Sequence, residues 1–316
     1  MTERTIAYLD CFSGASGDML LGALLDAGLP LEAIQAELDR LGLSGYSLGV
    51  ERVQQRGITG SRLSIEIDED QQPARDLRSI REILDAADLE EEVTEAALRV
   101  FERVALAEAS IHGMSVDEIH FHELSAVDSL IDVVGFVSGL RLLGVSALYS
   151  SALPLGSGTV RTAHGLLPVP APATLALLAE VGAPTIPTEA ECELVTPTGA
   201  ALITTLATFG RPAMAVAQVG YGFGRRELPW ANMLRLWIGQ EIPGGIAVPR
   251  GHMGDEATPY TVDAVAEPHA HPHAHEHEHE HEHEHEHGHG HGHPHEHAHE
   301  HPLEHTHEEH DHPHTH

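Results

Sequence analysis

Lysine is missing from this 316-residue chain, and all 17 basic residues are arginine. Neither a phosphate loop closed by a lysine nor a side-chain Schiff base is therefore open to it. Cysteine is nearly missing too: Cys11 and Cys192 form no disulfide framework. Aromatic residues make up only 4%, so aliphatic packing has to fill any core. The longest apolar stretch, "LIDVVGFVSGLRLLGVSALY", is interrupted by Asp132 and Arg141, and no membrane-spanning helix is expected. "MTERTIAYLD" lacks the basic and apolar regions of a signal peptide, and the expected compartment is the cytoplasm.

Acid and histidine are what the chain has in excess. The formal net charge is −32, a field that repels nucleic acid and draws divalent cations. Of the 28 histidines, 23 lie at or beyond His269. Three parts are expected: a folded body over 1–240, a Pro- and Gly-containing linker over 241–268, and a disordered His- and Glu-rich tail over 269–316. In an extended chain the alternation puts His275, His277, His279, His281, His283, His285, His287, His289, His291 and His293 on one face. Successive imidazoles can then share borderline ions such as nickel, copper, zinc or cobalt, with affinity falling as pH drops through the histidine range. The run is too long and irregular for a cloning tag; the bland alternative is a solvated polyampholyte.

Within the body, "TIAYLDCF" reads as a strand, "SGASGD" as a glycine turn and "MLLGALLDAGLP" as a helix. A second helix, a strand pair turning at Arg56 and Gly57, and two helices over "RSIREILDAADL" and "EEVTEAALRVFERVALAEASIHG" follow. "SVDEIHFHELSAVDSLIDVVGFVSGLRLLG" reads as an extended piece entering a buried helix. "TLALLAEVG" and "TGAALITTLATFG" read as helices, and "AMAVAQVGYGFG" and "MLRLWIG" as closing strands. Such mixing predicts an α/β or α+β body, a mixed sheet with helices packed on it, of underived topology.

Two stretches carry candidate chemistry. The turn "DCFSGASGDM" sets Ser13, Gly14, Ser16, Gly17 and Asp18 where backbone N–H groups and a helix dipole can hold a phosphate. A tight turn needs glycine in any case, and Asp18 also suits a first helical turn. In "EIHFHELSAVDSLID", an extended backbone points His120 and His122 the same way, with Glu118 on that face and Glu123 nearby, as a two-histidine metal site requires. Asp128 and Asp132 share a face of the next helix; capping explains Asp128 equally well, whereas Asp132 within an apolar helix fits a metal ligand better. His164, Cys192 and "TPTGA" are weaker cases, and His112 beside Gly113 reads as a helix end.

Five ordered blocks, "YLDCFSGASGDMLLGALLDAG", "IHFHELSAVDSLIDVVG", "GSGTVRTAHGLLPVPAPAT", "ELVTPTGAAL" and "GYGFGRRELPWANMLRL", resemble the LarC-type nickel-insertion proteins of nickel-pincer nucleotide biosynthesis. The resemblance covers nearly all of residues 5–239. It implies a cyclometallase, of the lyase class, that places nickel into pyridinium-3,5-bisthiocarboxylic acid mononucleotide. The product is the cofactor of lactate racemase-type enzymes, made by forming one nickel–carbon and two nickel–sulfur bonds at the expense of CTP with Mn or Mg. Family members usually continue into a C-terminal domain that binds CTP. This chain resembles the first part of a split protein, with that companion domain expected in trans. A His-rich insertion common in the family is replaced here by "EIDEDQQPARDLRSIREIL", and the histidines stand at the far end.

On this resemblance, Ser13, Gly14, Ser16, Gly17 and Asp18 are expected to hold the mononucleotide phosphate, and His120, His122, Glu123 and Asp132 to receive nickel. One of His120, His122, Glu123 or His164 is the candidate base for the pyridinium ring proton. The competing classes are a nickel storage and delivery protein without catalysis, and a metal-dependent hydrolase. Homo-oligomerisation stays open; no nucleic-acid or membrane partner is expected.

Overall fold

The computed structural model describes residues 4–68, 70, 72–73, 75–119, 127–162 and 164–244. The predicted strand β1 (Thr5–Asp10) runs into helix α1 (Gly17–Asp26), followed by α2 (Leu31–Asp39). Strands β2 (Tyr46–Gln55) and β3 (Ile58–Ile67) form the predicted hairpin. Arg56 and Gly57 at its tip both have positive φ, 52° and 82°, the backbone that lets a two-residue turn match the twist of its strands.

Helix α3 (Leu77–Ala86) starts from a reciprocal cap, Asp76 accepting from the Ser79 N–H and Ser79 from the Asp76 N–H. Helix α4 (Glu91–His112) stops where Gly113 turns left-handed at φ 64°. Helix α5 (Val127–Leu142) is buried along most of its length, which its apolar sequence on all sides demands.

Beyond it lie the short strands β4 (Ala147–Ser150) and β5 (Leu153–Leu155), the hairpin β6 (Thr159–Thr162) and β7 (Gly165–Pro168), helix α6 (Pro172–Glu180) and strand β8 (Thr185–Pro187). Helix α7 (Pro197–Leu206) passes directly into β9 (Ala207–Phe209), and β10 (Met214–Phe223) and β11 (Met233–Glu241) close the body.

Seven strands form one mixed sheet in the order β2-β3-β10-β11-β1-β4-β9. Strand β1 pairs antiparallel with β11 and parallel with β4, so the turn after β1 opens beside the middle of the sheet. Helix α1 lies against β3, β10 and β11, and α5 packs against α1, α2, α4 and α7. The expected mixed sheet with packed helices is therefore found. One local reading is corrected: the last residues of "TGAALITTLATFG" do not prolong the helix, because Ala207–Phe209 pair with β4 as an edge strand. The expected disordered tail, and the tail histidines His275 to His293 with it, lie outside the described residues.

Candidate functional site

The start of α1 is built against two neighbours. Gly14 turns left-handed at φ 106°, and a Cβ there would stand 2.0 Å from the Leu194 carbonyl oxygen. Only glycine lets the backbone come this close. Ala15 then donates to the Leu194 carbonyl at 2.9 Å and accepts from the Thr196 N–H at 3.1 Å, a parallel bridge that sets the first turns of α1 and α7 side by side. At Gly17 a Cβ would stand 2.0 Å from Oδ2 of Asp132, so glycine also admits a carboxylate from α5 against the start of α1.

These contacts sort the predicted residues. Ser13 is buried, and its hydroxyl accepts from the Trp230 Nε1–H at 2.9 Å. Together with Gly14 it forms wall, whereas Ser16, Gly17 and Asp18 line a cavity of about 710 Å³. Asp10 is buried in an ion pair with Arg235. Cys11 is buried beside Ser150 and Ser151, and desolvation pushes its thiol up to about 12, which makes it inert as a nucleophile or ligand.

The cavity is lined by groups of both charges. Asp18, Asp128 and Asp132 enter it from the first turns of α1 and α5, joined by Glu108 of α4 and by Glu193. The same cavity is lined by Arg161 from β6 and by Arg225 after β10, whose Nε lies 3.9 Å from the Asp18 carboxylate. Asp18 itself accepts from the Ser16 hydroxyl and from the Met19 N–H. At the start of α7, Thr196 caps the helix by accepting from the Gly199 N–H at 3.2 Å, and Pro197 and Thr198 complete that wall.

Asp132 is the unusual member. It is 9% exposed, and its Oδ1 has no hydrogen-bond partner among the described residues. Burial, reinforced by Asp18 and Asp128 and opposed by Arg225, raises its carboxyl well above the ordinary range. A buried carboxylate without a donor is costly, and it is relieved by a proton or by a cation. Such carboxylates supply the oxygen half of a cation site. Among the described residues, however, no three His, Cys, Asp or Glu side chains stand together as a ready-made metal cage.

His120, His122 and Glu123 lie outside the described residues. The described positions that flank them, Ile119 and Val127, are both buried, and the helix delivers Asp128, the next residue, and Asp132, one turn further on, to the cavity. Val116–Glu118 forms a single 3₁₀ turn, not the start of an extended piece, and Glu118 is committed to it, accepting from the Ser115 N–H and hydroxyl. Those hydrogen bonds hold its carboxyl below the ordinary range. His164 is exposed between β6 and β7, its ring centre 4.8 Å from that of His112. Cys192 is buried in a small cluster with Ala190 and Leu194. Glu108, Arg161 and Arg225 were not singled out from sequence, because an isolated charged residue carries no spacing signal, whereas the weaker candidate "TPTGA" supplies Thr196, Pro197 and Thr198 to the lining.

A family model described as "Nickel insertion protein" matches residues 7–267. The chain belongs to this nickel insertion family. It is similar to proteins named "Putative nickel insertion protein" from Thermomicrobium roseum (57% identical over 236 residues, 74% of this chain and 58% of the relative) and Roseiflexus castenholzii (50% over 234 residues, 74% and 59%). A relative of the same name from Syntrophobacter fumaroxidans is 48% identical over 243 residues, 75% of this chain and 61% of the relative. The chain thus spans about three-fifths of the length of these relatives. No solved structure matches it. Among the described residues no helix of the nickel insertion body is long and apolar enough to cross a membrane.

Proposed function

We propose that this chain receives nickel and takes part in inserting it into pyridinium-3,5-bisthiocarboxylic acid mononucleotide, the acceptor implied by its LarC-type resemblance. The observation that carries the reading is the cavity of mixed charge, in which Asp132, its Oδ1 without a hydrogen-bond partner among the described residues, lines the same space as other acids and as Arg161 and Arg225. A metal ion and an anionic organic chelator are a matched pair of ligands for such a space. The acids attract the cation, while the arginines and the adjoining starts of α1 and α7 suit the phosphate and thiocarboxylate groups.

In this reading Ser16, Gly17 and Asp18 border the phosphate end, with Ser13 and Gly14 shaping their wall. Nickel arrives near Asp132 through His120, His122 and Glu123. Forming the nickel–carbon bond releases a ring proton, which one of His120, His122, Glu123 or His164 takes up. The tail histidines His275 to His293 gather the ion beforehand. CTP, with Mn or Mg, acts through a companion domain in trans, and no residue of this chain is assigned to it.

The test mixes the purified chain with the acceptor nucleotide, nickel, CTP and the companion domain, and follows the metallated product by mass. Product is expected with the wild-type chain and is lost when His120 and His122 are both changed to Ala, while nickel binding by the tail persists. Undiminished product in that double variant rejects the assignment. A pure store would lose its contribution at every nickel concentration once residues 269–316 are deleted, whereas an insertion protein regains product at high nickel.

A further inference from the structure

Helix α4 ends in His112, and one turn earlier on the same face is Glu108, with its Oε2 3.4 Å from His112 Nε2. The β6–β7 hairpin folds back so that His164, 52 positions away in sequence, brings its ring beside that of His112, tilted by 48°. Glu108 lines the cavity, as does Thr162, whose hydroxyl accepts the His164 backbone N–H. Two exposed imidazoles and a carboxylate from two elements are therefore gathered beside residues that line the cavity.

The spacing of the rings suits a shared ion. With metal–nitrogen bonds of about 2.0–2.1 Å, two imidazoles on one ion place their ring centres roughly 4.5–5.2 Å apart, over the range from right-angled to tetrahedral coordination. The observed 4.8 Å falls inside that interval. The three side chains do not yet close on one point, because Glu108 is turned toward His112 Nε2; rotation about its terminal torsions supplies the third ligand.

We propose that His112, His164 and Glu108 form a reception site for a borderline divalent cation, nickel foremost, at the mouth of the cavity. The site leaves coordination positions open, as an ion in transit requires. This inference rests on reading the cavity as the place where nickel is used.

The test titrates the full chain with Ni²⁺ alone, modifies histidines with diethyl pyrocarbonate and locates the adducts by peptide mass mapping. Residue-by-residue readout keeps the tail histidines from masking the result. His112 and His164 should be protected with one common midpoint. In His112→Ala the midpoint of His164 should move to at least about tenfold more nickel, and the reciprocal shift should follow His164→Ala. Glu108→Gln, which preserves size, should move both in the same direction by a smaller factor. If His112→Ala fails to fold by circular dichroism, the exposed His164→Ala carries the decision. Unprotected rings in the wild type, or an unchanged midpoint at one histidine when the other is removed, overturns the proposal. No acceptor nucleotide is present, so the outcome is separable from the insertion reading: a common midpoint in a chain that never yields metallated product would remove only the latter.

Discussion

The interior of the cavity and its mouth present metal ligands of opposite character. Inside, the half-buried Asp18 and Asp128 stand with the buried Asp132, whose Oδ1 has no hydrogen-bond partner among the described residues. At the mouth, the imidazoles of His112 and His164 are exposed. Anionic oxygens bind a cation by charge and give it up reluctantly. Exposed imidazoles bind by lone pair and exchange. The difference teaches that one concave surface can both sample ions and retain one, provided that the two ligand types are kept at different depths.

The contrast can be broken first at its deep end. Asp132→Asn keeps the shape and removes the charge, and formation of metallated product should fall about 10- to 100-fold, measured by mass in the reconstituted mixture. Gly17→Ala comes next. The new Cβ would meet the Asp132 carboxylate at 2.0 Å, and the overpacking should cost about 1–3 kcal/mol, read from urea unfolding. Deleting residues 269–316 should lower product several-fold at limiting nickel and leave it unchanged at saturating nickel, since mass action replaces the local supply of the 23 tail imidazoles.

The smallest effect concerns pH. Asp132 keeps its proton when folded at pH values where the unfolded chain has lost it. Its contribution to stability is therefore undiminished below the ordinary carboxylate range and declines as pH rises through the raised folded-state value. Asp132→Asn should abolish that decline. The difference in urea midpoint between the variant and the wild type should thus grow in favour of the variant from acid toward neutral pH, and a constant difference would deny the burial effect.

Much of the fold was legible because its signals are local. The alternation around Arg56 and Gly57 gave the β2–β3 hairpin, the leucine spacing after Asp18 gave α1, and the uniformly apolar run after Val127 gave a buried α5. The strands β4 to β9 have three or four residues each, too short for periodicity to register, and Ala207–Phe209 is a strand only because β4 offers it an edge. In the site, Asp132 announced itself as an acid within an apolar helix. The His112–His164 pairing did not, since His112 by itself is an ordinary helix end and nothing in the spacing of two histidines 52 residues apart tells that a hairpin will return.

The sealed position of Cys11 carries a consequence for metal traffic. Thiolate is the donor that would grip nickel hardest, and here the Cys11 sulfur is held as a neutral thiol behind the end of β1, with Cys192 likewise enclosed. Neither cysteine sulfur is exposed to an arriving ion.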